Sequence, residues 1–225
     1  MLNEKGLCKI LKSAYKGGGY QIIPQTVKVV GPAGAWKRSD IVINGATWAV
    51  RCETTDLPKA AAVQIVDDAG YLPVEAIGIR KGEENQLILE GIAADQYALL
   101  NRQSAGEHVK PMLKIPVIFK DRWQLYQTET GEVCAFDVEL LKLIDFKAVQ
   151  NGLECYLSEN GGLGMFFWGD FSVYIAPGRF SAADEAKIKH IAELDWENQF
   201  EYDDPVTNIS LFDKDEDAPL EDREE

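Results

Sequence analysis

The chain has 225 residues, 46% of them hydrophobic and 27% charged, a balance that supports one large core or two small ones and excludes wholesale disorder and collagen-like repetition. Its net charge is −14, graded along the sequence: residues 1–60 hold nine Lys/Arg against four Asp/Glu, residues 61–200 twelve against 22, and the last 25 two against eleven. A field of that sign repels phosphate over most of a surface and leaves nucleic acid only a local basic face to meet.

The first predicted element supplies such a face. Lys5, Lys9, Lys12 and Lys16 recur at steps of four, three and four, which on a helix aligns the four ammonium groups along one side. Leu7, Ile10, Leu11 and Ala14 form the apolar side, and Gly17-Gly18-Gly19 stops the helix. The alternative for the lysine row is an ordinary solvated helix face. Strands follow at Tyr20 to Ile23 and Thr26 to Val30, with a bend at Pro24 and a Gly/Pro loop at residues 31–34. Asp40 to Ile43, Asn44-Gly45 and Ala46 to Cys52 predict a hairpin with a type I′ turn. Asp56 is placed to cap a second helix with Pro58 in its first turn, Val63 and Val66 on its apolar side and Gly70 at its end. Val74 to Arg80 and Gln86 to Glu90 predict a second hairpin.

A similar order then recurs. Ala93 to Gln103 reads as helix, and Ile115 to Lys120, Trp123 to Gln127 and Val133 to Phe136 as strands. Asp137 caps a short helix through Leu140, Leu141 and Ile144. Leu153 to Leu157, Met165 to Trp168 and Phe171 to Ala176 complete a sheet. Each half thus reads helix, strands, helix, strands, a structural repeat of low sequence identity. Ser181 to Asp184 opens a further helix with Ile188, Ile191 and Ala192 on one face. The predicted organisation is α+β: two similar domains of antiparallel sheet with short helices, residues 1–92 and 93–180, then a C-terminal helix over 181–200 and an acidic, mobile tail over 201–225.

Motifs of catalysis are absent: there is no phosphate-binding glycine loop, no dinucleotide fingerprint, no zinc-protease helix and no nucleophile elbow. No catalytic residue, metal site or cofactor is predicted. Gly161-Gly162-Leu163-Gly164 reads as a hairpin turn, and His190 with Glu193 as an exposed surface pair. Asp213, Asp215, Asp217 and Glu224 echo a calcium loop, but Ala218 stands where the turn glycine belongs. Phe166, Phe167, Trp168, Phe171 and Tyr174 lack neighbouring cations and read as core rather than a base-stacking platform. Cys8, Cys52, Cys134 and Cys155 form no C-x-x-C pair and read as small core hydrophobes of a reducing compartment. Apolar runs such as Met165 to Trp168 fall far short of the roughly 20 residues of a membrane span. The first residues lack a signal-peptide core, so the expected location is the cytoplasm, with no membrane partner.

Two resemblances converge on replication. Asn208-Ile209-Ser210-Leu211-Phe212 resembles the pentapeptide Gln-Leu-Ser/Asp-Leu-Phe by which bacterial polymerases and repair proteins dock on the sliding clamp, with Asn208 in the place of Gln. That resemblance implies Leu211 and Phe212 as anchors in an apolar pocket. The run from Val133 to Ile144, followed by strands ending in Val173 to Pro177, resembles the closing portion of a sliding-clamp domain, and Trp48 to Glu90 has the same order of elements. This second resemblance implies a non-enzymatic processivity factor: two domains per subunit and three subunits closed head to tail through sheet edges. It also implies duplex DNA gripped through its backbone, and a DNA polymerase or clamp loader as partner. Lys5, Lys9, Lys12, Lys16, Lys142 and Lys147 would then face DNA. The alternatives are an interaction protein that binds a bacterial sliding clamp through Asn208 to Phe212, an acidic DNA mimic that inhibits a nucleic-acid-binding protein, and an enzyme without a recognisable motif.

Overall fold

The computed structural model of the chain describes residues 1–31, 34–83, 86–91, 109–149, 152–159 and 161–194. Helix α1 (Glu4–Gly17) begins where the Asn3 side chain accepts from the Gly6 N–H at 3.0 Å, satisfying a donor the first turn leaves unpaired, and ends at Gly18. Strands β1 (Tyr20–Gly31), β2 (Gly34–Asn44) and β3 (Trp48–Glu53) follow. A 3-10 turn at Thr54–Asp56 leads into α2 (Lys59–Ala69), then β4 (Ile77–Lys81) and β5 (Leu87–Gly91). The second half comprises β6 (Val109–Phe119), β7 (Trp123–Thr128) and β8 (Val133–Asp137), then the one-turn helix α3 (Val138–Leu141). Strands β9 (Glu154–Ser158), β10 (Gly164–Trp168) and β11 (Phe171–Ile175) and helix α4 (Ala182–Ala192) complete it.

The strands form one antiparallel sheet in the order β5-β4-β1-β2-β3-β11-β10-β9-β6-β7-β8. The fold is therefore α+β, an antiparallel sheet with short helices. Its order contains a repetition. In the first half, β5-β4-β1-β2-β3 places the strands after α2 on the far side of β1. In the second half, β10-β9-β6-β7-β8 places the strands after α3 on the far side of β6, and β11 is added outside β10. The halves join where β3 pairs with β11, Ser172 opposite Arg51 and Ile175 opposite Trp48.

One face of the sheet carries α1, α2 and α3. Leu7, Ile10 and Leu11 of α1, Ala61, Ile65 and Ala69 of α2 and Leu141 of α3 share a core with Ile22, Ile41, Ile43, Val50, Tyr126, Phe136 and Phe166. The alternation of strand side chains sends Leu125 and Ala135 the other way, where with Ile115 and Phe119 they receive Ile188 of α4. In the second half β6 turns the sheet back on itself. Val109 to Pro111 pair with β9 and Met112 to Phe119 with β7, across a register shift between Lys114 and Ile118. The fold-back sets β8 against β10. Phe136, Phe166 and Tyr126 meet edge to face with ring centres 5.4–5.7 Å apart, and any side chain at Gly164 would collide with Phe136.

Several local expectations are corrected. Pro24 does not bend the chain; it lies inside β1 opposite Ile41. The β4 partner stops at Ile22, so the missing N–H falls on an unpaired side. Asn44-Gly45 does not form a type I′ turn, because neither residue has positive φ. A longer loop joins the strands, with the Gly45 N–H donating to the Trp48 carbonyl at 2.8 Å and the indole of Trp48 occupying the space a Cβ would need. Asp56 caps nothing: it belongs to the 3-10 turn, Pro58 precedes α2, and the Ala60 N–H in the first turn of α2 donates instead to the Glu4 carboxylate of α1 at 2.9 Å. Val63 and Val66 are exposed. The smaller Ala61 and Ala69 with Ile65 face inward instead, which lets α2 lie close beside α1. Val74 lies outside β4 and is exposed. The helix expected over residues 93–103 lies outside the described residues, as do the calcium-like pattern and the pentapeptide at residues 208–212.

Candidate nucleic-acid interface

Helix α1 lies with its apolar stripe on the sheet, so its lysines point away from it. Lys5, Lys9, Lys12 and Lys16 are all exposed. The chain start is fastened to the second half. The Asn3 N–H donates to the Leu143 carbonyl at 2.9 Å, the Asp145 N–H donates to the Met1 carbonyl at 3.0 Å, and Leu2 bridges Ile144. Gly6 meets the Lys142 carbonyl with no room for a side chain between them. These contacts bring the α1 lysines and those around α3 to one surface.

There Lys9 and Lys142 converge on one carboxylate. Lys9 Nζ lies 2.7 Å from Glu139 Oε2 and Lys142 Nζ 2.5 Å from Glu139 Oε1. The Lys142 ammonium first, then that of Lys9, hold the Glu139 carboxyl down to about 2. Asp137 positions Glu139 by capping α3, its side chain accepting from the Glu139 N–H at 2.9 Å. Lys5, Lys12, Lys16 and Lys147 have no carboxylate within ion-pairing distance among the described residues. Of the six lysines singled out from sequence, two are therefore tied to one acid and four are free to meet an anion.

The structure adds Lys114 to this set. On β6 it shares the helix-bearing face with Met112, and with Lys142 and Lys147 it lines a cleft of about 390 Å³ that Gln124, Tyr126 and the carboxylate Asp145 also line. Its ammonium sits 5.8 Å from the centre of the Phe146 ring. The strand alternation of β6 was the available signal, hidden because the register shift breaks the period.

The opposite face differs in kind. Asp40 is fully buried there, accepting from Arg38 Nε at 2.7 Å and from Arg51 Nε at 2.9 Å, and Asp170 takes the remaining side of Arg38. Those arginines are spent on structure. Phe167 and Tyr174 pack edge to face on that side, at 6.0 Å; of the aromatic cluster Phe166 and Tyr174 are buried, on opposite faces, and Phe167, Trp168 and Phe171 are partly buried against them. Cys52, Cys134 and Cys155 are pushed up to about 12 by burial, which keeps the thiols protonated and inert. His190 and Glu193 form an exposed pair at 3.9 Å. Among the described residues no group of three His, Cys, Asp or Glu is arranged to hold a metal, and no helix is long and apolar enough to cross a membrane.

No family model and no curated protein matches the chain. Among solved structures it is similar to the beta subunit from DNA polymerase of Streptococcus pyogenes, at 12% identity and a TM-score of 0.33, over 82% of this chain and 66% of that one. The chain thus spans just under two thirds of that subunit.

Proposed function

We propose that the protein is a non-enzymatic DNA-replication accessory factor of the sliding-clamp kind, which associates with copies of itself around duplex DNA and tethers a polymerase. The observation that supports this most is the repetition of strand order. Two units of like topology are joined by pairing the last strand of one, β3, with the outermost strand of the other, β11. At the two ends of the chain's sheet remain β8, the counterpart of β3, and β5, the counterpart of β10. Repeats joined head to tail can continue from subunit to subunit, and such heterologous contacts close into rings when the rotation permits. The lysines of α1, α3 and β6 share one face, as a ring lined with cations requires, and topological capture needs no uniformly basic surface. A trimer of the 25.0 kDa chain has a mass of about 75 kDa. Light scattering at that mass, with retention on circular but not on linearised DNA at moderate salt, supports the reading; a strict monomer that ignores DNA circles ends it.

One observation favours a second reading. The Gly178 N–H donates to the outward carbonyl of Ala135 at 2.8 Å, and α4 packs beside β8, so the segment after β11 already covers part of the edge a ring would use. A monomer that binds a bacterial sliding clamp through Asn208 to Phe212 fits that covered edge. Capture of purified clamp, lost on Leu211→Ala with Phe212→Ala, distinguishes it.

A further inference from the structure

Strands β1 and β2 run beyond the sheet. β4 accompanies β1 only from Tyr20 to Ile22, and β3 accompanies β2 only from Asp40 to Asn44. From Thr26 to Gly31 and from Gly34 to Ser39 the two strands have only each other. This is a projecting ribbon of six residue pairs, about 20 Å long at roughly 3.3 Å per residue. Its base is pinned by Arg38 on Asp40 and Asp170, but no residue of β2 before Asp40 is buried. A two-stranded ribbon without a packed face is marginally stable in water.

This ribbon also carries a pairing that works against its own stability. Lys28 stands directly opposite Lys37, an arrangement of like charges that destabilises a strand pair. Both are exposed, and neither has a carboxylate within ion-pairing distance among the described residues. Alternation from Ile22 and from Ile41 puts both lysines on the sheet face that bears α1. The wider charge pattern agrees: residues 5–39 contain seven Lys/Arg and not one Asp or Glu, in a chain whose net charge is −14.

We infer that the β1–β2 ribbon is a second DNA-binding element, in which Lys28 and Lys37 together grip the phosphate backbone of a duplex whose main contact is the lysine row of α1. A bound polyanion turns the cross-strand repulsion into a pair of favourable contacts, and a two-stranded ribbon has the width of the major groove along which those phosphates run. The inference rests on the proposed binding of duplex DNA and adds to it a site away from α1.

The test is anisotropy of a labelled duplex titrated with the full chain over a range of salt. Lys28→Gln with Lys37→Gln is predicted to weaken binding about tenfold near 0.1 M salt and to flatten the salt dependence by about 1.8 in log–log slope, at roughly 0.9 per phosphate contact. Lys37→Glu alone places an acid opposite Lys28. It is predicted to weaken binding while raising the melting temperature, opposite shifts that damage to the fold cannot produce. Binding unchanged in the ribbon variants, but lost in Lys5→Gln with Lys12→Gln and Lys16→Gln, overturns the inference and leaves the proposed function standing. Failure of the unaltered chain to bind the labelled duplex overturns the inference, and failure to be retained on circular duplex as well overturns the proposed function with it. Equal losses on anionic lipid vesicles and on DNA also overturn it, since the ribbon would then be a general anion contact.

Discussion

The two halves of the molecule share a strand order and differ in what covers it. The first half is roofed by α1 and α2, of 14 and 11 residues. Among the described residues the second has on that face a single helical turn, α3, and it closes its core by bending β6 so that β8 faces β10. The same pattern of hydrogen bonds is thus stabilised in one half by helix on sheet and in the other by sheet on sheet, both adequate ways of burying one apolar face. The comparison teaches that pairing order is a property of turns and edges, whereas charge display depends on the cover. The 14-residue α1 aligns four lysines along one side, whereas the one-turn α3 and the segment after it supply Lys142 and Lys147 singly.

If the halves are independent units, damage to one spares the other. The contacts across them argue for the reverse: β3 pairs with β11, Met1 to Asn3 pair with Leu143 to Asp145, and α1 leans on α3. Phe136→Ala empties the centre of the aromatic triad. It is expected to cost about 3–5 kcal/mol and to lower a single melting transition for the whole chain. Two separated transitions, with the first half unmoved, would break the comparison in favour of independent domains. Next in size is Asp40→Asn on the first half. It removes the charge shared by two arginines that are themselves partly solvated, for an expected loss of about 2–3 kcal/mol in denaturant unfolding. Because Arg38 also reaches Asp170 between β10 and β11, the loss is predicted to shrink in an Asp170→Ala background.

Legibility from sequence followed the same division. The capped ends were plain: Asp137 before α3, Ser181 before α4 and the glycines after α1 all stand where a short polar side chain or a missing Cβ is needed. The lysine row was plain because a helix period of 3.6 is local information. The inward face of α2 was not. Val63 and Val66 are the more hydrophobic pair, but the space beside α1 admits small side chains, and the neighbouring helix decides which stripe turns in. The continuity of the sheet across β3 and β11 was equally hidden, since those strands are more than a hundred residues apart in the chain. Convergence of Lys9 and Lys142 on Glu139 needed that long-range geometry and could not be read from spacing.

A smaller effect sharpens the comparison at the join between the halves. Gly6→Ala adds a methyl where α1 meets the Lys142 carbonyl. The gain in helix propensity, about 1 kcal/mol, works against an overlap with backbone that cannot easily retreat, and the net expectation is a loss of about 1–2 kcal/mol. The same substitution at Gly17, where a Cβ meets nothing, is expected to be neutral or stabilising in the same melting experiment.

The smallest effect is electrostatic and belongs to Glu139. Its carboxyl is lowered in the folded chain to about 2, first by Lys142 and then by Lys9. The favourable contribution is therefore complete above the ordinary carboxylate range near 4.5 and is lost as pH falls through about 2. Both partners are exposed, so the effect on stability is slight and the titration itself is the better measure. Following the Glu139 side-chain carboxyl by NMR, Lys142→Ala should move its midpoint upward further than Lys9→Ala, because Lys142 is the larger cause. Equal shifts would mean that the two ammonium groups act interchangeably. Glu139→Gln releases both lysines from their shared acid, and by the same reasoning duplex binding should strengthen and depend more steeply on salt. Were that variant to bind no better, Lys9 and Lys142 would be fastening α1 to α3 and taking no part in the cationic face.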